Sequence, residues 1–205
     1  MRQLPVLPLR DGPLLPVETE LAVGRPTSVA ALRAAFAADH LVLALCQRDP
    51  YCDEPPLDGY FRVGCIAHVE LIAEAEGIFT VHASGRERAC VETLQASDEL
   101  LTATISPLVS SDPPPLDEAL VAKLRGVATE MRIATDVSPS RLVDLITARL
   151  ALDPAQAQWF LETLDVQARA NRLLEPTQLA FEDAKAIEAR AERESILTRL
   201  FRRRR

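Results

Sequence analysis

Apolar and polar positions follow two different rhythms along this chain, and the change falls near residue 110. The first half is a series of short apolar runs. Leu4, Val6, Leu7 and Leu9 are interleaved with Pro5 and Pro8. Each proline lacks a backbone donor, so the run predicts an edge strand with its donor side turned from the sheet, then a turn at Asp11-Gly12-Pro13. Glu18 to Val23 alternates acidic and apolar side chains, which predicts a half-buried strand ending at Gly24. Val29, Leu32, Ala35 and Phe36 recur at helical spacing behind a cap at Thr27 or Ser28. Leu41 to Leu45 is continuously apolar, as in a strand covered on both sides. Gln47 to Gly59 is polar and holds three prolines, so it reads as a surface loop. Strands then follow over 63–71, 78–83, 88–94 and 100–105, with polar or glycine-containing turns between them. Several strands around one helix predict a compact, coiled antiparallel sheet or small barrel.

Ser110-Ser111-Asp112-Pro113-Pro114-Pro115 breaks the pattern, because three consecutive prolines continue neither a helix nor a central strand. Beyond it the spacing is helical. Leu116, Leu120, Leu124 and Val127 share a face, Ser138-Pro139-Ser140 starts a second helix, and Asp153-Pro154 opens a third anchored by Trp159 and Phe160. Asp165 caps a fourth, whose stripe is Val166, Ala170, Leu173 and Leu174. Pro176 predicts a break, followed by a long, densely charged helix over 177–201 with a thin apolar stripe, exposed or paired with another copy. The expected organisation is thus α+β: a β domain over 1–109, a Pro-rich linker over 110–115 and an all-α helical bundle over 116–205 ending in a long helix.

The wording of the first half adds a resemblance. Leu4-Pro5-Val6-Leu7-Pro8-Leu9-Arg10-Asp11 with Pro16, Val23-Gly24-Arg25, Asp53-Glu54-Pro55, Phe61-Arg62-Val63-Gly64-Cys65-Ile66-Ala67 and Gly85-Arg86-Glu87-Arg88 occur in that order. This series resembles the N-terminal, substrate-binding domain of the ATP-dependent Lon protease family. The resemblance implies a PUA-like antiparallel β domain with one short helix, and a region leading toward an ATPase ring. The matched Pro8, Arg10, Asp11, Pro16, Gly24, Arg25, Gly64, Gly85, Arg86 and Arg88 are expected to serve backbone geometry and loop tying more than ligand contact.

Charge and chemistry narrow the function. A net charge of −7 argues against a protein built to hold nucleic-acid phosphate. No apolar run is long enough for a transmembrane helix, and no basic-then-apolar leader opens the chain, so the expected location is the cytoplasm. The four cysteines, Cys46, Cys52, Cys65 and Cys90, include no Cys-x-x-Cys pair, which leaves zinc unsupported. No Gly-x-x-x-x-Gly-Lys-Ser/Thr loop surrounds Lys123 or Lys185, so the Walker A signature of ATP hydrolysis is missing, as is the Lon Ser-Lys protease domain. His68 and His82 fall in neighbouring expected strands without a third ligand at fixed spacing. Neither catalytic, cofactor nor metal residues are assigned.

The expectation is a non-enzymatic module that holds exposed apolar segments of unfolded polypeptides, in a patch on the β domain or in the cleft between it and the helices, with open strand edges supplying backbone bonds. Leu14, Leu15 and Leu57, which fall in loops, are the candidate peptide-binding residues. A separate protease or ATPase is a conceivable partner, as is a second copy through the C-terminal helix. The alternative is an RNA-binding PUA-like protein, prompted by fold analogy alone, since the terminal Arg202 to Arg205 on an acidic chain do not make an RNA-binding module.

Overall fold

The computed structural model describes residues 2–97, 100–108 and 116–174. Strands β1 (Arg2–Leu9), β2 (Glu18–Val23), β3 (Leu41–Cys46), β4 (Val63–Ala75), β5 (Ile78–Ser97) and β6 (Leu100–Pro107) form one sheet in the order β2-β5-β4-β3-β1-β6. Because β6 also pairs with β5, the last five strands close into a small barrel and β2 hangs outside the ring. Closure depends on the length of β5. Its first part, Phe79 to Ser84, pairs with β2, and its second, Ala89 to Ser97, pairs with β6. Register shifts at Ile66/Ala67, Leu71/Ala73 and Val91/Thr93 supply the bulges that let such long strands curl.

Several expectations change at this level. The sheet is not wholly antiparallel, since β1 runs parallel to β3, from Val6 beside Leu43 to Leu9 beside Cys46. Parallel neighbours need a long crossover, and the connection through β2 and helix α1 (Pro26–Phe36) provides it. Nor is β1 an edge strand, because its first half pairs with β6 and its second with β3. Pro8 nonetheless stands off the ladder: the Leu9 carbonyl accepts from Gln47 on the β3 side, so Pro8 faces the other way, where its carbonyl accepts from Arg25. The strands expected over 78–83 and 88–94 are one strand without a turn at Gly85. Helix α1 is capped at Arg25 with Pro26 in its first turn, so neither Thr27 nor Ser28 caps it.

Strand alternation sorts the apolar residues into two cores. Leu4, Val6, Leu43, Leu45, Ile66, Val91 and Ile105 fill the barrel. Their sequence neighbours Leu7, Val42, Ala44, Cys65 and Ala67 face outward, into a second core shared with helices. This is why all six residues of β3 are buried.

That second core is roofed by α1 on one side and by α2 (Glu118–Glu130), α3 (Pro139–Thr147), α4 (Pro154–Glu162) and α5 (Val166–Leu174) on the other. Each of these four starts at a side-chain cap. The Asp117 carboxylate accepts from the Ala119 amide, the Ser138 hydroxyl from Arg141, Asp153 from Ala155 and Gln156 in a capping box, and Asp165 from Gln167 and Ala168. The buried face of α2 is Leu120, Leu124 and Ala128. The linker over 110–115, the break at Pro176, the long helix over 177–201, pairing through it and the terminal arginines all lie outside the described residues.

Candidate functional site

A cleft of about 610 Å³ opens between β2, the segment 10–15 that follows β1, and the α3–α4 connection. Its base is formed by Leu7, Leu14, Leu15 and Val17, and its sides by Leu21 of β2 facing Leu150 and Leu152. Leu14 and Leu15, at 5% and 4% exposure, therefore form part of the core beneath the cleft and not a solvent-facing patch. Leu57, 44% exposed, lies in a separate recess of about 730 Å³ beside Pro55, Tyr60 and Leu101. The structure thus brings two of the three candidate leucines together and leaves the third elsewhere. Pro8, Arg10 and Arg25 border both spaces.

Backbone geometry makes the cleft more than an apolar dent. Strand β2 pairs with β5 on one side only, and no strand among the described residues covers its other side. The Val17 carbonyl accepts from Gly85 on the β5 side, so by alternation the amides and carbonyls of Glu18, Glu20 and Ala22 point outward, with the Glu20 carbonyl accepting one long bond of 3.5 Å from the Thr19 hydroxyl. Gly85 permits this closeness. A Cβ there would lie 2.3 Å from the Leu15 carbonyl oxygen, so any larger residue would push the cleft base away from the sheet. At Gly64 a Cβ would meet the Ala44 carbonyl at 2.7 Å, which holds β3 and β4 together.

The arginines around the cleft are engaged by neighbouring groups. Arg25 donates to the Pro8 carbonyl at 2.7 Å and to Gln47 Oε1 at 3.1 Å. Gln47, fully buried, in turn donates to the carbonyls of Asp49 and Cys52, so the loop expected to be plain surface is pinned from inside. Arg10 pairs with Asp53 at 2.6 Å, and Arg141 of α3 reaches the Pro16 carbonyl. Asp11, Gly24 and Arg86 are exposed.

One ionic node fixes the far wall. Arg88 of β5 grips Asp144 of α3 through two contacts of 2.7 and 3.2 Å, and also donates to the Leu161 carbonyl at 3.0 Å. Arg169 of α5 binds the same carboxylate and the Ser140 hydroxyl. The side chains of Asp144 and Arg169 are 3% and 2% exposed. Burial lowers the pKa of Arg169, and the Asp144 charge opposes that drift. Sheet, α3, α4 and α5 are therefore joined at one buried charge cluster, and the connection between α3 and α4 carries Leu150 and Leu152, which face β2 across the cleft. Asp144, Arg169 and Gln47 were not singled out in the sequence. Arg169 had a signal, since it sits within the stripe of Val166, Ala170 and Leu173 where a charged residue needs a buried partner.

The remaining candidate chemistry does not assemble. In the β4–β5 register His68 opposes Ser84 and Glu70 opposes His82, so the two histidines are diagonal, and His68 instead stacks on His40 with ring centroids 5.6 Å apart. All four cysteines are thiols. Burial pushes Cys46 up to about 11 and Cys65 up to about 12, the wrong direction for a nucleophile. Among the described residues no helix is long and apolar enough to cross a membrane.

Residues 3–177 match the family described as the ATP-dependent protease La (LON) substrate-binding domain. The chain belongs to this family. It is 30% identical over 189 residues to Lon protease 2 of Herpetosiphon aurantiacus, covering 83% of this chain and 23% of that protein. It is 29% identical over 191 residues to the Lon protease of Escherichia coli, covering 84% and 24%. The chain thus spans about a quarter of the length of these Lon proteases, and the part it matches is their substrate-binding domain. Its fold is similar to the N-terminal domain of the Mycobacterium avium complex Lon protease, with a TM-score of 0.66 and 25% identity over 85% of this chain and 97% of that one. The Lon N-terminal domain protein of Xanthomonas campestris shares the fold at a TM-score of 0.64 and 17% identity, over 85% and 98%.

Proposed function

We propose that this Lon-family domain holds extended, apolar segments of unfolded polypeptides in the cleft between β2 and the α3–α4 connection, and that it performs no bond-breaking step itself. The observation that carries the reading is the coincidence of an apolar trough with an unpaired strand edge. Apolar side chains of a guest segment enter between Leu21, Leu150 and Leu152, while its backbone pairs with the outward groups of Glu18, Glu20 and Ala22. Backbone pairing is blind to side-chain identity, so binding is broad in sequence, and a shallow contact of this kind is weak. Delivery of the held segment to a separate protease or ATPase would follow from the family relationship.

The RNA-binding reading gains no supporting observation. Arg10 and Arg25 at the cleft border are engaged by Asp53, Gln47 and the Pro8 carbonyl, leaving them poorly placed for phosphate.

The test is a fluorescence-anisotropy titration of a labelled, reduced and alkylated model polypeptide with the full chain and with Ala148→Glu. Ala148 is exposed and borders the cleft, so a carboxylate there obstructs the trough without opening the core. Saturable binding, indifferent to ATP and weakened roughly tenfold by the substitution, is expected for a buried apolar contact replaced by a charge. An unchanged affinity in Ala148→Glu would refute the cleft, and absence of any complex would refute the polypeptide-holding function.

A further inference from the structure

The β4–β5 hairpin projects beyond the barrel as an arm with a second open edge. His40, held at φ 60°, closes the barrel side of β4: its carbonyl accepts from the Val69 amide at 2.9 Å, and its Nδ1 lies 3.2 Å from the Val69 carbonyl. Past that point Glu70 to Ala75 pair with β5 alone, and among the described residues no strand lies on their other side. A register shift between Leu71 and Ala73 turns both Leu71 and Ile72 to solvent, at 49% and 52% exposure, and Ile78 across the hairpin is 48% exposed. These are three of the five large apolar side chains that stand exposed among the described residues, and they cluster on one arm.

An apolar strand edge left open invites pairing, and proteins blunt such edges with charge. Here the charge carried by the strands themselves is of one sign, the nearby cation being Arg33 of α1, 5.8 Å from the Phe79 ring. Val63 to Gly85 contains Glu70, Glu74 and Glu76 and neither lysine nor arginine, while β2, beyond β5 in the same arm, adds Glu18 and Glu20. A second copy of this edge would set carboxylates against carboxylates, which destabilises cross-strand pairs. A guest strand carrying lysine or arginine meets the opposite situation: its backbone completes the ladder, its apolar residues cover Leu71 and Ile72, and its cations face the carboxylates.

We infer that the open edge of the arm, Glu70 to Ala75, is a docking strip for an extended polypeptide segment that alternates apolar and basic residues. The inference rests on the polypeptide-holding reading above and adds a second contact, distinct from the cleft, that gives this domain a charge preference among unfolded chains.

The experiment compares two labelled eight-residue peptides, one alternating valine with lysine and one alternating valine with glutamate, titrated by anisotropy into the full chain at two salt concentrations. The lysine peptide should bind at least roughly tenfold more tightly, with the gap narrowing as salt rises. Replacing its two central residues by proline should abolish binding, because proline cannot donate to the ladder. The variant Glu70→Lys/Glu74→Lys alters exposed positions, keeps the circular dichroism of the parent, and should reverse the preference. Equal binding of both peptides would overturn the inference, as would an unreversed preference in the charge variant. Self-association of the chain that Ile72→Lys abolishes would overturn it too, by assigning the edge to a second copy. The two readings separate through Ala148→Glu. Lysine-peptide binding that persists there but responds to Glu70→Lys/Glu74→Lys supports the arm even if the cleft fails, and the converse pattern removes the arm and leaves the cleft standing.

Discussion

Removing the carboxylate at the centre of the buried charge cluster is the sharpest perturbation of this fold. In Asp144→Ala, Arg88 and Arg169 keep their positive charges at side-chain exposures of 10% and 2%, and each loses the one carboxylate it is paired with among the described residues, Asp165 acting on Arg169 only as a lesser, longer-range charge. Breaking a buried pair by deleting one partner costs about 3–5 kcal/mol, and here two cations lose their partner at once, which places the loss at or above the upper end of that range. Against a total stability of about 5–15 kcal/mol this is a large fraction, and at about 2–4 °C per kcal/mol for a chain of this size it lowers Tm by roughly 10–20 °C. Arg88→Met is the informative control. It removes the sheet's contribution but leaves Asp144 paired with Arg169, so its cost should be smaller, roughly 1–3 kcal/mol. Urea denaturation followed by circular dichroism, run on the two single variants and on Arg88→Met/Asp144→Ala, supplies the cycle. The double variant should lose less than the sum of the singles by about 1 kcal/mol or more, because one stranded cation has gone. Additive losses, or a Tm for Asp144→Ala within about 3 °C of the parent, would refute the claim that this cluster ties the helices to the sheet.

Two further outcomes follow from close approach and from burial. Gly85→Ala forces a Cβ to within 2.3 Å of the Leu15 carbonyl, so it should cost about 1–3 kcal/mol in chemical denaturation and weaken polypeptide binding by displacing the cleft base, whereas Gly126→Ala, where a Cβ meets nothing, should leave binding unchanged. The raised thiols give a pH signature. Cys46 and Cys65 titrate near 11 and 12 when folded against an ordinary 9.0, so the unfolded chain loses its protons first; their contribution to stability is complete below about pH 9 and falls as pH rises toward 12. At pH 8 iodoacetamide should leave both unmodified until urea opens the fold, as peptide mass mapping would read.

Local signals in the sequence located most elements, while pairing between distant segments stayed hidden. The caps at Ser138, Asp153 and Asp165 were legible because a cap is a contact between residues two or three apart. The continuous run of Leu41 to Leu45 correctly implied burial on both faces, since a barrel interior and a helix-covered exterior leave no side for water. Gly85 misled, because glycine marks both turns and close approach, and the sequence around it holds no trace of the Leu15 carbonyl that lies against it. The parallel pairing of β1 with β3 was invisible for a similar reason: strand direction depends on where the intervening chain crosses, not on the apolar pattern of either strand. At the candidate site, Leu14 and Leu15 were found as apolar loop residues but not as core. Asp144 was masked by its surroundings, a single carboxylate among Leu142, Val143, Leu145 and Ile146 whose two arginine partners lie 56 and 25 residues away.

The central claim is that a guest polypeptide completes the sheet along β2. Amide hydrogen exchange read by NMR, with and without a saturating unfolded model polypeptide, addresses it residue by residue. The outward amides of Glu18, Glu20 and Ala22 should exchange at least roughly tenfold more slowly in the complex, while those of Thr19, Leu21 and Val23, already bonded to β5, change little. A complex that forms with the Glu18, Glu20 and Ala22 amides still exchanging at the rate of the free domain would contradict the account.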